Sequence, residues 1–233
     1  MLPRRFFFLA LAALTLVAPI PLRLWRLTGP AVAPASLSVP LFALRPVTSA
    51  DFDGEGQPET LTLAHGQATL TSGGQIRWQS PAAWQVRQAE IADLNRDGRP
   101  EAVLLVWRPF KPWPVDQWLP QGGRIRDFRN AAGQSCHLIL IGWYKNAFRE
   151  RWAGSALAEP LQAFAVADLA GTGQPVLAAL ESEYADAPSA PARRLKIWEW
   201  NGFGFSVVST LTGPFSQLAL LQTFDGQNLI LLP

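Results

Sequence analysis

The chain is poor in the residues on which much protein chemistry depends. Among 233 residues there are one cysteine, one methionine, two histidines and two tyrosines, and charged residues make up only 16%. With Cys136 alone, no intrachain disulfide can form and no zinc site can be built on cysteines. His65 and His137 stand singly, the latter inside the apolar stretch CHLILIG, where a core histidine is expected rather than a catalyst. No G-x-S-x-G elbow, phosphate-binding glycine loop or H-E-x-x-H helix occurs, so nucleophilic, nucleotide and zinc-hydrolase readings lack support. Basic charge is also short. The formal net charge is +2, but Arg4, Arg5, Arg23 and Arg26 precede residue 30, and without them 16 basic residues face 18 acidic ones. A slightly acidic body lacks the field that draws in phosphate backbones, so nucleic acid is not an expected partner.

What the chain has in quantity is apolar surface: 48% hydrophobic residues and ten tryptophans, enough for a core and of the flat shape that fills space between packed sheets. The first such stretch is N-terminal. In LPRRFFFLALAALTLVAPIPLRLWRL, residues 2–27, two arginines precede a charge-free run of 17 residues, and further arginines and Trp25 follow. This reads as an export or anchoring signal, short for a bilayer span and disturbed at its end by Pro19 and Pro21. Residues 1–27 are therefore expected to form a hydrophobic helix that serves as an uncleaved signal anchor, with a cleaved signal peptide as the alternative. Residues 28–37, TGPAVAPASL, read as a Pro/Ala linker to a domain at 38–233. The expected location is the cell envelope, with an extracytoplasmic domain tethered to the membrane, or a secreted protein if the signal is cleaved.

The body of the chain repeats itself. Three segments align without gaps as A-D-(L/F)-x-x-x-G-x-P: Ala50-Asp51-Phe52 with Gly56 and Pro58, Ala92-Asp93-Leu94 with Gly98 and Pro100, and Ala167-Asp168-Leu169 with Gly173 and Pro175. Alternating stretches precede the second and third copies, and an apolar run follows each copy, so each motif predicts a tight loop between two strands. Further along, Trp143-x-x-Asn146-x-Phe148 matches Trp198-x-x-Asn201-x-Phe203, and Asn201-Gly202 reads as a two-residue hairpin turn. Each unit therefore has four strands, the pattern of propeller blades. From Asp51 to Asp93 is 42 residues and from Asp93 to Asp168 is 75, the excess being an insertion at 108–135. SQLALLQTFDGQNLILLP at the end and SLSVPLFALR before the first motif are expected to share a last sheet, closing the array with both termini.

The second loop reads Asp93-Leu94-Asn95-Arg96-Asp97-Gly98-Arg99-Pro100-Glu101. Oxygen-bearing side chains at positions one, three and five, a glycine at the sharp turn, the carbonyl of Arg99 at position seven and a later carboxylate suit calcium, which accepts six or more oxygens in irregular geometry. Three carboxylates in nine residues repel one another unless a cation lies between them. In the first loop Asp51, Asp53 and Glu59 correspond, with Glu55 at position five. The third keeps Asp168 but has Ala170, Thr172 and Val176 elsewhere, and is expected to be empty. The alternative for each loop is closure by hydrogen bonds from backbone to side chain, without metal. These residues resemble the FG-GAP and VCBS-like repeats, the calcium-bearing blades of integrin α-chain-type propellers, over residues 45–233. The resemblance implies an all-β, β-propeller-like array of about four four-stranded blades, with one calcium ion held between the first two strands of each competent blade.

The insertion combines Trp113 and Trp118 with Arg124 and Arg126, residue types common at contact surfaces, on a long loop of a rigid scaffold. It is the expected contact for a protein or glycan partner, unless it folds as a lid with its aromatics buried. Glu181 and Glu183 share a strand face and are expected to be solvated. Two functions follow: a membrane-tethered, calcium-binding scaffold module, or an extracytoplasmic hydrolase with two carboxylates at the propeller mouth, about 5 to 10 Å apart.

Overall fold

A computed structural model of the chain describes residues 23–36, 40–112 and 127–232. Every regular element among them is a strand. β1 (Arg23–Thr28), β2 (Ala31–Ala35) and β3 (Leu41–Ala43) come first. Three antiparallel four-stranded meanders follow, one for each repeat. The first blade is β4 (Ser49–Ala50), β5 (Glu59–Ala64), β6 (Gln67–Ser72) and β7 (Gln75–Gln79). The second is β8 (Gln85–Ala92), β9 (Glu101–Pro109), β10 (Gln134–Tyr144) and β11 (Ala147–Ala153), and the third is β12 (Leu161–Ala167), β13 (Val176–Glu181), β14 (Ala192–Trp200) and β15 (Phe205–Phe215). β16 (Ala219–Thr223) and β17 (Asn228–Leu232) complete a fourth, five-stranded sheet in the order β2-β1-β17-β16-β3. The four sheets stand in a propeller arrangement.

Period-two alternation decides how the blades pack. All of Glu101–Trp107 in β9 is buried, because its two faces meet two different neighbours. Ala102, Leu104 and Val106 join Leu61, Leu70 and Ile139 between the first and second blades, whereas Val103, Leu105 and Trp107 join Leu138, Phe164 and Leu177 between the second and third. β13 divides in the same way, with Leu177 and Ala179 facing backward and Val176, Ala178 and Leu180 facing forward onto Leu195, Leu220 and Ile230. In β5 only Leu61 of the central residues is buried, and Thr60 and Thr62 are exposed, so the first blade offers apolar surface to one side.

The last sheet is built from both ends of the chain. Leu41–Ala43 pairs with β16, as the flanking apolar segments lead one to expect. The strand β1 and its hairpin partner are a correction. Arg23–Leu27, read as the end of the signal, and Ala31–Ala35, read as a linker, form the outer hairpin of this sheet, and Arg23–Trp25 pairs with Ile230–Leu232. Trp25, Leu27 and Val32 turn inward onto the third interblade core, which gives a physical reason for order in a Pro/Ala-rich stretch. Gly29, at φ +56°, occupies the first central position of the turn, where a side chain is disfavoured. Residues 1–22, with the apolar run, lie outside the described residues, and no helix among the described ones is long and apolar enough to cross a membrane.

Two boundaries also differ. The insertion assigned to 108–135 begins and ends inside paired strands, since Arg108 and Pro109 face Ser135 and Gln134. Asn201-Gly202 is not a two-residue turn: Trp200 pairs with Phe205, and Asn201 Oδ1 accepts the amides of Phe203 and Gly204 to close a longer loop. In the matching segment of the second blade, Lys145-Asn146 is a two-residue turn with both φ positive, at 49° and 60°, as are His65-Gly66 and Gly73-Gly74 in the first blade.

Candidate metal centre

The second loop joins β8 to β9, and Glu101 is the first residue of β9. That residue points into the blade and is only 1% exposed, and its carboxyl accepts the Leu94 amide at 3.2 Å. Asp93 receives the amides of Asp97 and Gly98 at 3.1 and 2.9 Å, and Asn95 Oδ1 receives the Asp97 amide at 2.9 Å. These bonds fold the loop back on itself and bring carboxylate oxygens of Asp93, Asp97 and Glu101 within 4.8 Å of one another. The Asn95 side-chain amide donates to Glu101 Oε1. Arg99 enters through its amide, which donates to Asp97 Oδ1 at 3.1 Å. Burial, then the charges of Asp97 and Asp93, push the Glu101 carboxyl up to about 8. Such a set, oxygen throughout and with more negative charge than its surroundings neutralise, can hold a hard divalent cation.

The first loop repeats this construction between β4 and β5. Glu59 is buried and accepts the Phe52 amide at 3.0 Å, and Asp51 accepts the amides of Gly54 and Gly56, each at 2.8 Å. The Gly56 amide is the main cause holding the Asp51 carboxyl below its usual range. Asp51, Asp53 and Glu59 converge within 4.8 Å. Glu55 does not join them: it is exposed and contributes its backbone amide, which donates to Asp53. In the third loop Asp168 accepts the Thr172 and Gly173 amides at 3.0 and 2.6 Å, and no acidic cluster forms around it among the described residues. The leading aspartate thus closes all three loops, and the later carboxylates distinguish two of them.

Two arginines belong to the clusters and were missed in the sequence. Arg151 on β11 reaches Asp97 at 3.0 Å, and Arg77 on β7 reaches Asp53 at 3.2 Å. Each precedes a tryptophan on the outer strand of its blade, so the recurring Arg-Trp pair was the available signal. Gly142 makes room for this arrangement, since a Cβ there would lie 2.8 Å from Arg151 Cγ and 3.4 Å from Glu101 Cγ. Arg96, at φ +61° in the second loop, reaches across to Glu199 of the third blade at 2.9 Å.

Along the axis, residues 44–47, β8, β12 and β16 enclose a cavity of about 220 Å³. One carboxylate lines it, Glu90, with Arg45 and Gln88, so the pair expected of a hydrolase does not form there among the described residues. Gln88 clamps the second blade to the third by donating to the Phe164 carbonyl and accepting its amide. Glu181, expected in solvent, is buried instead and faces Lys196 at 2.8 Å and Arg194 at 3.5 Å. Cys136 is wholly buried. His137 donates from Nδ1 to the Gly154 carbonyl and accepts at Nε2 from Ser135, and burial pushes it down to about 4, so it is neutral. Ser135 is itself inaccessible, which makes this contact a packing bridge. Trp113, Trp118, Arg124 and Arg126 lie outside the described residues. The chain matches no protein-family model, no curated protein and no solved structure.

Proposed function

We propose that this chain is an extracytoplasmic, membrane-tethered repeat module that binds calcium in its second loop and presents a rigid surface to a protein or glycan partner. The observation that carries the reading is Glu101: a carboxyl buried at the base of a loop, with two more carboxylates within 4.8 Å, is costly unless a cation shares the space. Asp93, Asp97, Glu101, the side-chain oxygen of Asn95 after rotation of its amide, and the carbonyl of Arg99 supply the oxygens. Calcium tolerates this irregular set better than magnesium does. The first loop, with Asp51, Asp53 and Glu59, is a second site of the same kind. The resemblance of the loops to FG-GAP and VCBS-like repeats, and the charge-free run near the N-terminus, support the calcium and the tether respectively.

A thermal melt of the full-length protein with excess calcium and then with chelator tests the reading. A chain shortened to begin at residue 36 is unsuitable, because it loses β1 and β2. Binding to the native state alone at a hundredfold excess over Kd adds roughly 2.7 kcal/mol, seen as a raised midpoint. Asp97→Ala should lose most of that shift, and an unchanged response in the variant rejects the second loop as the main site.

A further inference from the structure

Blades that radiate from an axis separate as they leave it, and between the second and third blades aromatic rings fill the widening space. The face that the third blade turns toward the second carries Trp198 and Trp200 on β14 and Phe205 and Val207 on β15, aligned as Trp198 with Val207 and Trp200 with Phe205. Trp152, on the outer strand of the second blade, meets Phe205 edge-on at 5.1 Å and Trp200 at 6.0 Å. Gly154 and Gly204 bring backbone close to the Trp152 ring, and a Cβ on Gly154 would come within 2.7 Å of it. The rings do not seal the gap. A groove of about 530 Å³ remains, walled by Trp152, Trp198 and Phe205, with Phe203 and Val207 on its rim. Phe203 is 89% exposed and Val207 50% exposed, both unusual for large apolar side chains of a closed core.

Among the described residues that line this groove, Phe128 included, none is ionisable, while Ser155 and Asn201 are polar, the latter with its Oδ1 already held by the Phe203 and Gly204 amides. That combination selects a neutral ligand with apolar faces and a hydroxylated edge. The volume falls in the range of small-ligand sites, about 300–1,000 Å³, and suits a short run of rings better than a protein interface, which needs roughly 1,000 Å² of buried surface.

We propose that this groove is a binding site for a neutral saccharide, whose C–H faces lie against Trp152, Phe203 and Phe205 while its hydroxyls meet Ser155, Asn201 and the backbone of 153–156. The site rests on the groove alone and does not require calcium in either loop, so loss of the calcium response leaves it standing.

The test is isothermal titration of the full-length protein, in a detergent without a sugar headgroup, with cellohexaose, chitohexaose, mannohexaose and maltohexaose, and with polygalacturonate as a charged comparator. At least one neutral hexasaccharide should bind and alter tryptophan fluorescence, and the polyanion should not compete. Phe203→Ala removes an exposed ring without touching the core and should weaken binding about tenfold, the scale of one lost ring contact. Val207→Lys, which places a charge on the rim, should weaken it further, and both variants should melt like the parent chain. Failure of all four saccharides to bind, or binding indifferent to both substitutions, overturns the proposal. So does binding of apolar peptides, without saccharide binding, that Phe203→Ala abolishes, because it assigns the groove to a protein.

Discussion

Replacing Glu90 by Gln should make the protein lose less stability as the pH rises from 4.5 to about 7. Glu90 sits in the axial cavity, and burial raises its carboxyl from 4.5 to about 7, against the opposing effects of a hydrogen bond from Gln88 at 2.8 Å and one from the Val166 amide. A carboxyl whose folded value lies above its unfolded one contributes stability that is complete below the unfolded value and lost as pH rises through the folded one. The window is therefore 4.5 to about 7. At about 1.4 kcal/mol for each pH unit the full effect is about 3 kcal/mol, and solvent in the cavity reduces it to about 2. Glutamine retains the oxygen that accepts from Gln88 and Val166 but never ionises. Guanidinium unfolding of both proteins at fixed calcium should therefore show Glu90→Gln more stable by about 2 kcal/mol at pH 8 and within about 0.5 kcal/mol at pH 5. Comparing variant with parent removes the contributions of Glu101, which acts in the same direction, and of neutral His137, which acts in the opposite one. Equal differences at the two pH values refute the buried-carboxyl argument.

Arg151→Ala should separate the arginine from the metal, because the guanidinium occupies one side of Asp97 at 3.0 Å. The pair is partly exposed, so chelator-treated protein should lose only about 0.5–1 kcal/mol, whereas the midpoint rise on adding calcium should grow. A smaller rise shows that Arg151 supports the loop rather than competing for it. Cys136 is wholly buried, and burial pushes its thiol up to about 12, so iodoacetamide at pH 8 should leave the native protein unlabelled and modify it fully in denaturant. Mass spectrometry reads the result, and labelling in the native state contradicts the packing around β10.

The middle strands were legible because each is an uninterrupted apolar run, the pattern of a strand buried on both faces. EAVLLVW, CHLILIG and VLAAL could be placed in blades without knowing which neighbour each face met. The loops were legible for a related reason: an aspartate that accepts two backbone amides, a glycine and a strand-initial glutamate must stand at fixed offsets. The hairpin of Arg23–Thr28 and Ala31–Ala35 was not. Its arginines and prolines suit a membrane flank and a linker, and its order comes from pairing with Ile230–Leu232 at the opposite end of the chain, which leaves no local trace. The burial of Glu181 was hidden in the same way, since Lys196 and Arg194 lie on the adjacent strand β14. Glu55 shows the converse limit. Position five admits a glutamate by sequence, but its side chain stays in solvent and Arg77 takes the place beside Asp53.

The small number of blades accounts for the groove and for the rings that line it. Four sheets around one axis diverge more steeply than six or seven would, so the space between neighbours grows quickly from the inner strands outward. The inner part of the gap between the second and third blades is filled by Val103, Leu177 and one ring, Phe164. Farther out the gap demands rings: Trp152 meets Trp200 and Phe205 edge to face across it, and Trp198 lies tilted against Phe205. The second loop is tied to both walls of this wedge, to β11 through Asp97 and Arg151 and to β14 through Arg96 and Glu199. Arg151 adjoins Trp152, and Glu199 stands between Trp198 and Trp200. These two ion pairs link the loop to both aromatic walls without any cation, and the geometry that makes such a core hard to seal leaves the groove open.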